Sequence, residues 1–210
     1  MLRVALATAA AALALSACSV QVDFPGTDTQ QGAAPANLAD LRVATEKNDG
    51  TYDRKRFGSP WKDVDGNRCD TRNDILARDL KNVVKRDDGC TVLSGLLEDD
   101  PYTDQSIEFS KERPTAVQID HIYPLALAWR LGASQWDDAR RADFANDPDN
   151  LLAVGGRENQ RKSDKGPDEW EPPADYQCAY AQKFTAIALE YDLPVTQPAH
   201  DALARMLKTC

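Results

Sequence analysis

The sequence predicts an α+β fold stabilised by two disulfides, and three observations carry that expectation. Residues 117–120 alternate apolar and polar, Val117 and Ile119 against Gln118 and Asp120, and residues 151–154 form a short apolar run ended by Gly155-Gly156. Both read as strands. Ile75, Leu76, Leu80 and Val83 recur at helical spacing, as do Tyr180, Phe184, Ile187, Ala188 and Tyr191, which gives apolar helix faces that must pack on something. Once Cys18 is assigned to an export signal, Cys69, Cys90, Cys178 and Cys210 remain. An even set in an exported chain favours disulfides, and zinc is disfavoured because no C-x-x-C pair exists and neither His121 nor His200 lies near a cysteine pair.

Taken in order, residues 1–18 leave the fold argument. Arg3 supplies a positive start, residues 4–15 an apolar stretch, and Leu15-Ser16-Ala17-Cys18 ends it with small residues before a cysteine. This is the pattern of a bacterial lipoprotein signal with Cys18 as the lipidated residue, and an ordinary secretory peptide is the alternative. Either way the mature protein is exported: a lipoprotein on the outer face of the cytoplasmic membrane, or a secreted chain. Residues 19–36, rich in Gln, Thr, Gly, Ala and Pro, lack a periodic apolar pattern and read as a flexible tether. Residues 37–210 are a normal size for one domain.

Within that domain, a short amphipathic helix is expected from Leu38 or Leu41 to Lys47, then a polar-aromatic loop over 52–61. Asp63, Asp65, Asn67 and Asp70 miss the spacing of a calcium loop and read as a turn with capping carboxylates. A helix follows over 71–84, then strands over 91–97 and 106–109 joined through Asp99-Asp100-Pro101-Tyr102 as a hairpin. After the 117 strand, Pro124 stops the ladder because it lacks a donor. Helices are expected over 125–131 and 137–144, with Trp129, Trp136 and Phe144 in the core. The 151–154 strand turns into a polar helix carrying Arg157, Asn159, Arg161 and Lys162; Pro172-Pro173 breaks the chain, and helices close it over 176–191 and 200–208. His200, at the start of the last helix, has no polar constellation around it and reads as structural.

Asp120-His121, Asn150 and Asn159, in this order on strand, loop and helix, resemble the ββα-metal (HNH) nuclease signature in its His-Asn-Asn form. More specifically, D-H-I-Y-P and N-L-L-A-V…N-Q-R-K are similar to the C-terminal nuclease domain of GmrSD-type restriction enzymes and to small secreted actinobacterial HNH proteins. The resemblance covers residues 61–178 and is strongest over 119–170, so the core of the domain is placed at 117–170. Arg72-Asn73 is similar to a segment of relatives beside the nuclease core, and Arg72 stands for either an ion pair or a phosphate contact. The pairs Cys69–Cys90 and Cys178–Cys210 are preferred because each brackets one helical region while crossed pairings would thread the nuclease core; the other two connectivities stay open.

The resemblance implies hydrolysis of phosphodiester bonds. His121 is the residue able to accept a proton from water at neutral pH. Asp120 and the Asn159 amide oxygen are hard, sparse ligands that suit Mg²⁺ or Mn²⁺. By position in the family, Asn150 braces the backbone bearing His121. Arg157, Arg161 and Lys162, with Lys165 nearby, are assigned to substrate phosphates.

Charge sets a limit on this reading. The chain carries a net charge of −9, and without Arg3 its 24 basic and 34 acidic residues leave −10. A nucleic-acid binder usually shows a basic footprint, so the substrate is expected to be non-specific DNA held by a local cluster, with the membrane as second partner through Cys18 and no protein partner inferable. The alternative is a catalytically inactive, lipid-anchored binding or scaffold protein on an HNH fold.

Overall fold

A computed structural model describes residues 37–210 as a mixed α+β protein. The export signal with Cys18 and the tether over 19–36 lie outside the described residues. Two small sheets are present among the described residues. One is three-stranded and antiparallel, built from β1 (Lys81–Lys85), β2 (Val92–Leu97) and β3 (Ile107–Ser110) in that order. The other pairs β4 (Val117–His121) with β5 (Leu151–Gly155), antiparallel, with His121 opposite Leu151 and Val117 opposite Gly155.

Six α-helices are described: α1 (Thr71–Asp79), α2 (Leu125–Arg130), α3 (Asp138–Asn146), α4 (Gly156–Lys162), α5 (Ala174–Glu190) and α6 (Gln197–Met206). None of the described helices is long and apolar enough to cross a membrane. Asp70, Asp137 and Thr196 start α1, α3 and α6 by accepting backbone N–H bonds in their first turns. The 63–70 acidic stretch spends its oxygens locally: Asp63 accepts from Gly66 and Arg68, and Asp65 from Asn67. That is the turn chemistry the sequence predicts.

The side chains form two cores. The larger is aromatic and lies among α2, α3, α5 and α6, where Tyr123 stacks on Phe184 at 4.6 Å and Phe144 meets Tyr191 edge-on at 4.9 Å. Trp129 and Phe144 are buried in it and Trp136 packs against it. The smaller core sits between α1 and the sheets, from Ile75, Leu76, Val92, Phe109, Val117 and Leu151. Cys69–Cys90 and Cys178–Cys210 are the observed pairs, each with Cα atoms 5.1 Å apart, within the range a disulfide bridges.

Two expected elements differ. The 71–84 helix ends at Asp79, and Lys81–Lys85 turns outward as a strand on β2, so the expected hairpin is a three-stranded meander. Val83 and Val84 fit helical spacing and a strand equally in so short a run, and the β2 backbone decides. The register of β1 is broken by irregularities, and Asn82 has a φ of 52°. The expected helix ending at Lys47 is also absent. After a single 3₁₀ turn, Leu38–Asp40, the chain runs extended and its N–H groups find distant partners: Ala44 donates to the Val195 carbonyl and Lys47 to that of Arg130. A segment this short does not sustain a helix in water alone; tertiary bonds and the burial of Leu41 decide its path. We refer to residues 37–61 as the arm.

On the side of β5 away from β4, Arg78 donates to the Leu151 carbonyl (2.7 Å), Asp79 accepts from Ala153 N–H (2.9 Å) and Asp100 from Gly155 N–H (3.0 Å). Gly156 opens α4 where any side chain would collide with the Thr115 carbonyl, 2.0 Å from where a Cβ would lie. This close approach explains the glycine.

Candidate active site

The end of β4 is anchored from below. Asn150 is fully buried; its side chain accepts from Tyr123 N–H (2.8 Å) and donates to the Tyr123 carbonyl (3.3 Å), while its own carbonyl accepts from Ile122 N–H (2.8 Å). The backbone immediately after His121 is thus clamped on three groups. Asn150 does not line the cleft described next.

That cleft, about 700 Å³, is lined by Gln118, Asp120, His121 and Asn159 from β4 and α4, by Trp129 and Arg130 from α2, and by Lys47, Asp49, Tyr52 and Arg54 from the arm. His121 Nε2 lies 2.9 Å from the Ala145 carbonyl. A carbonyl only accepts, so Nε2 carries the proton and Nδ1 holds the free lone pair. Burial lowers the His121 pKa to about 4, and Arg54 and Lys162 act in the same direction, against the Ala145 carbonyl and Asp120. The imidazole is therefore neutral, and able to take a proton, throughout the physiological range.

Asp120 is also buried, with the two carboxylate oxygens in different circumstances. Oδ2 accepts from Tyr102 Oη (2.6 Å) and pairs with Lys162 Nζ (2.7 Å). Oδ1 has no protein partner among the described residues. Burial and the neighbouring Asp120 charge raise the Tyr102 pKa well above its ordinary value, which keeps the phenol a donor. Asn159 donates its Nδ2 to Gln118 Oε1 (2.9 Å), which leaves the amide oxygen as its free acceptor.

One assignment needs correction. Lys162 does not face substrate: its side chain is 0% exposed, and its ammonium donates to the His121 carbonyl (2.9 Å) while pairing with Asp120. The physical reason is helix geometry. Residues three apart share a face, so Lys162 follows Asn159 inward, whereas Arg157 and Arg161, two residues to either side, turn away. Arg157 and Arg161 are exposed and do not line the cleft; Arg161 pairs with Glu158 (3.1 Å), and Lys165 donates to the Arg161 carbonyl. The exposed cations at the cleft are Lys47 and Arg54. Arg72 forms no ion pair among the described residues and does not line the cleft; it donates to the Pro114 and Val117 carbonyls. His200 does not line the cleft.

Among the described residues no three His, Cys, Asp or Glu side chains converge as a metal centre. Besides Asp49 and Asp164 on its lining, the cleft offers one free carboxylate oxygen on Asp120 and one amide oxygen on Asn159, each of these two side chains held by a second residue. Such a set fits Mg²⁺ or Mn²⁺, which keep several waters and accept few protein oxygens.

A family model described as GmrSD restriction endonucleases, C-terminal domain, matches residues 70–206, more than half of the chain. The chain belongs to this GmrSD C-terminal domain family. The GmrSD match includes β4, β5 and α4 but not the arm, so the wall carrying Lys47, Tyr52 and Arg54 is contributed by residues outside it. A protein of Arthroderma benhamiae (strain ATCC MYA-4681 / CBS 112371), named "Uncharacterized secreted protein", is 35% identical over 202 residues, spanning 95% of each chain. No solved structure matches.

The sequence reading missed Tyr102, Gln118 and the arm cations. Gln118 was within reach of it: on a strand, residues 118 and 120 share a face, so a side chain beside Asp120 on the cleft side is implied by alternation. Tyr102 sits in a turn whose Asp100 is buried and binds Tyr102 N–H, the Thr103 hydroxyl and Gly155 N–H; nothing local signals that this turn reaches β4.

Proposed function

We propose that the protein is an exported, metal-dependent nuclease of the HNH type, hydrolysing nucleic-acid phosphodiester bonds. Membership of the GmrSD C-terminal domain family suggests nuclease-type activity. The observation that carries this proposal is His121 itself: Nε2 is tied to the Ala145 carbonyl, Nδ1 has no partner among the described residues, and oxygens of Asp120 and Asn159 that likewise have none belong to the same cleft.

In this mechanism His121 Nδ1 takes the proton of a water whose oxygen adds to phosphorus as the bond to the departing oxygen breaks. Asp120 Oδ1 and the Asn159 amide oxygen would hold Mg²⁺ or Mn²⁺, which when bound neutralises charge on the phosphate and the departing oxygen. Tyr102 and Lys162 occupy Oδ2 and so direct the other oxygen to the cleft. Asn150 positions the His121 backbone, and Arg54 and Lys47 meet substrate phosphates in place of the α4 cations. Few exposed cations at the site and a chain charge of −9 fit weak, non-specific binding.

Nicking of supercoiled plasmid with Mg²⁺ or Mn²⁺, abolished by chelation, is the expected result. Supercoiled plasmid and single-stranded DNA both left intact under both metals replace this function with the inactive binding or scaffold reading. Export is supported by the two disulfides and by the relative's name. Lipidation at Cys18 is proposed from the Leu15–Cys18 signal, and Cys18→Ser should release the chain or leave it unprocessed; unchanged mature mass and membrane retention remove the anchor.

A further inference from the structure

A second cavity, about 350 Å³, shares His121, Arg54 and Leu125 with the cleft, yet its walls are of another kind. Phe57, Pro60, Trp61 and Ala145 supply mostly carbon, and Asp53, which also borders it, is engaged in capping its own 3₁₀ turn by accepting from Lys55 N–H (2.9 Å). Arg54 and Lys55 bring positive charge to the same space.

Trp61 is the unusual residue. Its φ is 60°, a left-handed conformation that a bulky side chain rarely adopts. The next residue fixes it there: Lys62 N–H donates to Asn146 Oδ1 (2.9 Å) and the Lys62 carbonyl accepts from Thr71 N–H (3.3 Å). Strain of this kind persists where surrounding bonds over-determine it, and it concentrates at ligand sites. Here it holds a half-buried indole on the wall of a cavity that ends at His121.

An occupant must be flat and apolar on its faces, must be tethered to the group that reacts at His121, and must carry negative charge beside Arg54. A nucleobase joined to its phosphate meets all three conditions. We propose that this cavity seats the base of the nucleotide adjoining the scissile phosphate, stacked on Trp61, with Arg54 holding the phosphate where the two cavities join. The inference rests on the nuclease reading and sharpens it: a base inside a duplex does not enter a lateral pocket without leaving the stack, so the preferred substrate is unpaired nucleic acid.

The test uses His121→Ala protein, which binds without cleaving, and three fluorescein-labelled probes: oligothymidylate, its duplex with oligoadenylate, and a deoxyribose-phosphate oligomer of equal length lacking bases. Binding to oligothymidylate should exceed binding to the other two by about tenfold. Adding Trp61→Ala should weaken oligothymidylate binding about five- to a hundredfold, the range for loss of one stacking partner, and leave the baseless oligomer unaffected, while Trp61→Phe keeps most of the affinity. Equal binding of base-bearing and baseless probes by the His121→Ala protein overturns the proposal whether or not the Trp61 variants fold. Plasmid nicking by the unmodified protein separates the two levels. A protein that nicks but ignores bases loses the pocket and keeps the nuclease function; one that neither nicks nor binds loses both.

Discussion

The floor of the cleft, where β4 meets α4, holds Asp120, His121 and Lys162 nearly out of water, whereas the arm bordering the same cleft holds Lys47, Tyr52 and Arg54 in solvent. Buried charge is expensive unless it is paired. The floor is accordingly a closed network, with Lys162 and Tyr102 on Asp120, the Ala145 carbonyl on His121 and Gln118 on Asn159. Lys47, Tyr52 and Arg54 stand outside that network; in the proposed function their wall presents cations to a polyanion. Precision belongs to one wall and attraction to the other.

The largest expected effect tests the floor. His121→Ala should reduce nicking by about 10²- to 10⁴-fold with the folded circular-dichroism spectrum retained at the assay temperature, the usual range for loss of a positioned base; cleavage at the original rate under saturating metal would end the assignment. Next comes Lys162→Met, which leaves the Asp120 carboxylate buried beside Tyr102 alone. Removing one partner of a buried pair costs about 3–5 kcal/mol, measurable by urea unfolding, whereas a surface phosphate contact would leave stability almost unchanged.

A third prediction concerns pH in metal-free protein. The folded His121 pKa of about 4 lies below the ordinary 6.5, so between those values the unfolded chain binds the extra proton. Stability therefore rises with pH across that window and falls as pH drops towards 4, by up to about 3 kcal/mol in all. Urea midpoints from pH 4 to 7 check the slope, and His121→Asn should flatten it.

The smallest effect separates the arm from α4. Arg54→Ala should raise KM several-fold and reduce the salt slope of binding by about one, while Arg157→Ala and Arg161→Ala should each change KM less than about twofold. The reverse ranking would return phosphate binding to the outward face of α4.

How much of this was legible in the sequence follows the range of the forces involved. β4, β5 and α4 carry local signals: alternation, an apolar run and a paired glycine turn. The order Asp120, His121, Asn150, Asn159 could thus be placed on its elements, and so could both disulfides. The inward turn of Lys162 is also written in the sequence, three residues after Asn159, but charge alone does not distinguish Lys162 from Arg161. The arm was not legible, because its path depends on the Val195 and Arg130 carbonyls, far along the chain. Nor was Tyr102, whose partner Asp120 is reached only through a buried turn.

The side chains along β5 have a further consequence. Arg78, Asp79 and Asp100 occupy backbone groups that a neighbouring strand would otherwise use, so β5 cannot take up a further strand from another molecule on that margin. The other sheet defends its outer margin differently, with Lys81 and Lys85 on an irregular, left-handed-kinked β1. Open strand margins invite edge-to-edge aggregation. These two margins are thereby poor templates for it, an asset on the proposal that the protein is exported beyond the reach of cytoplasmic chaperones.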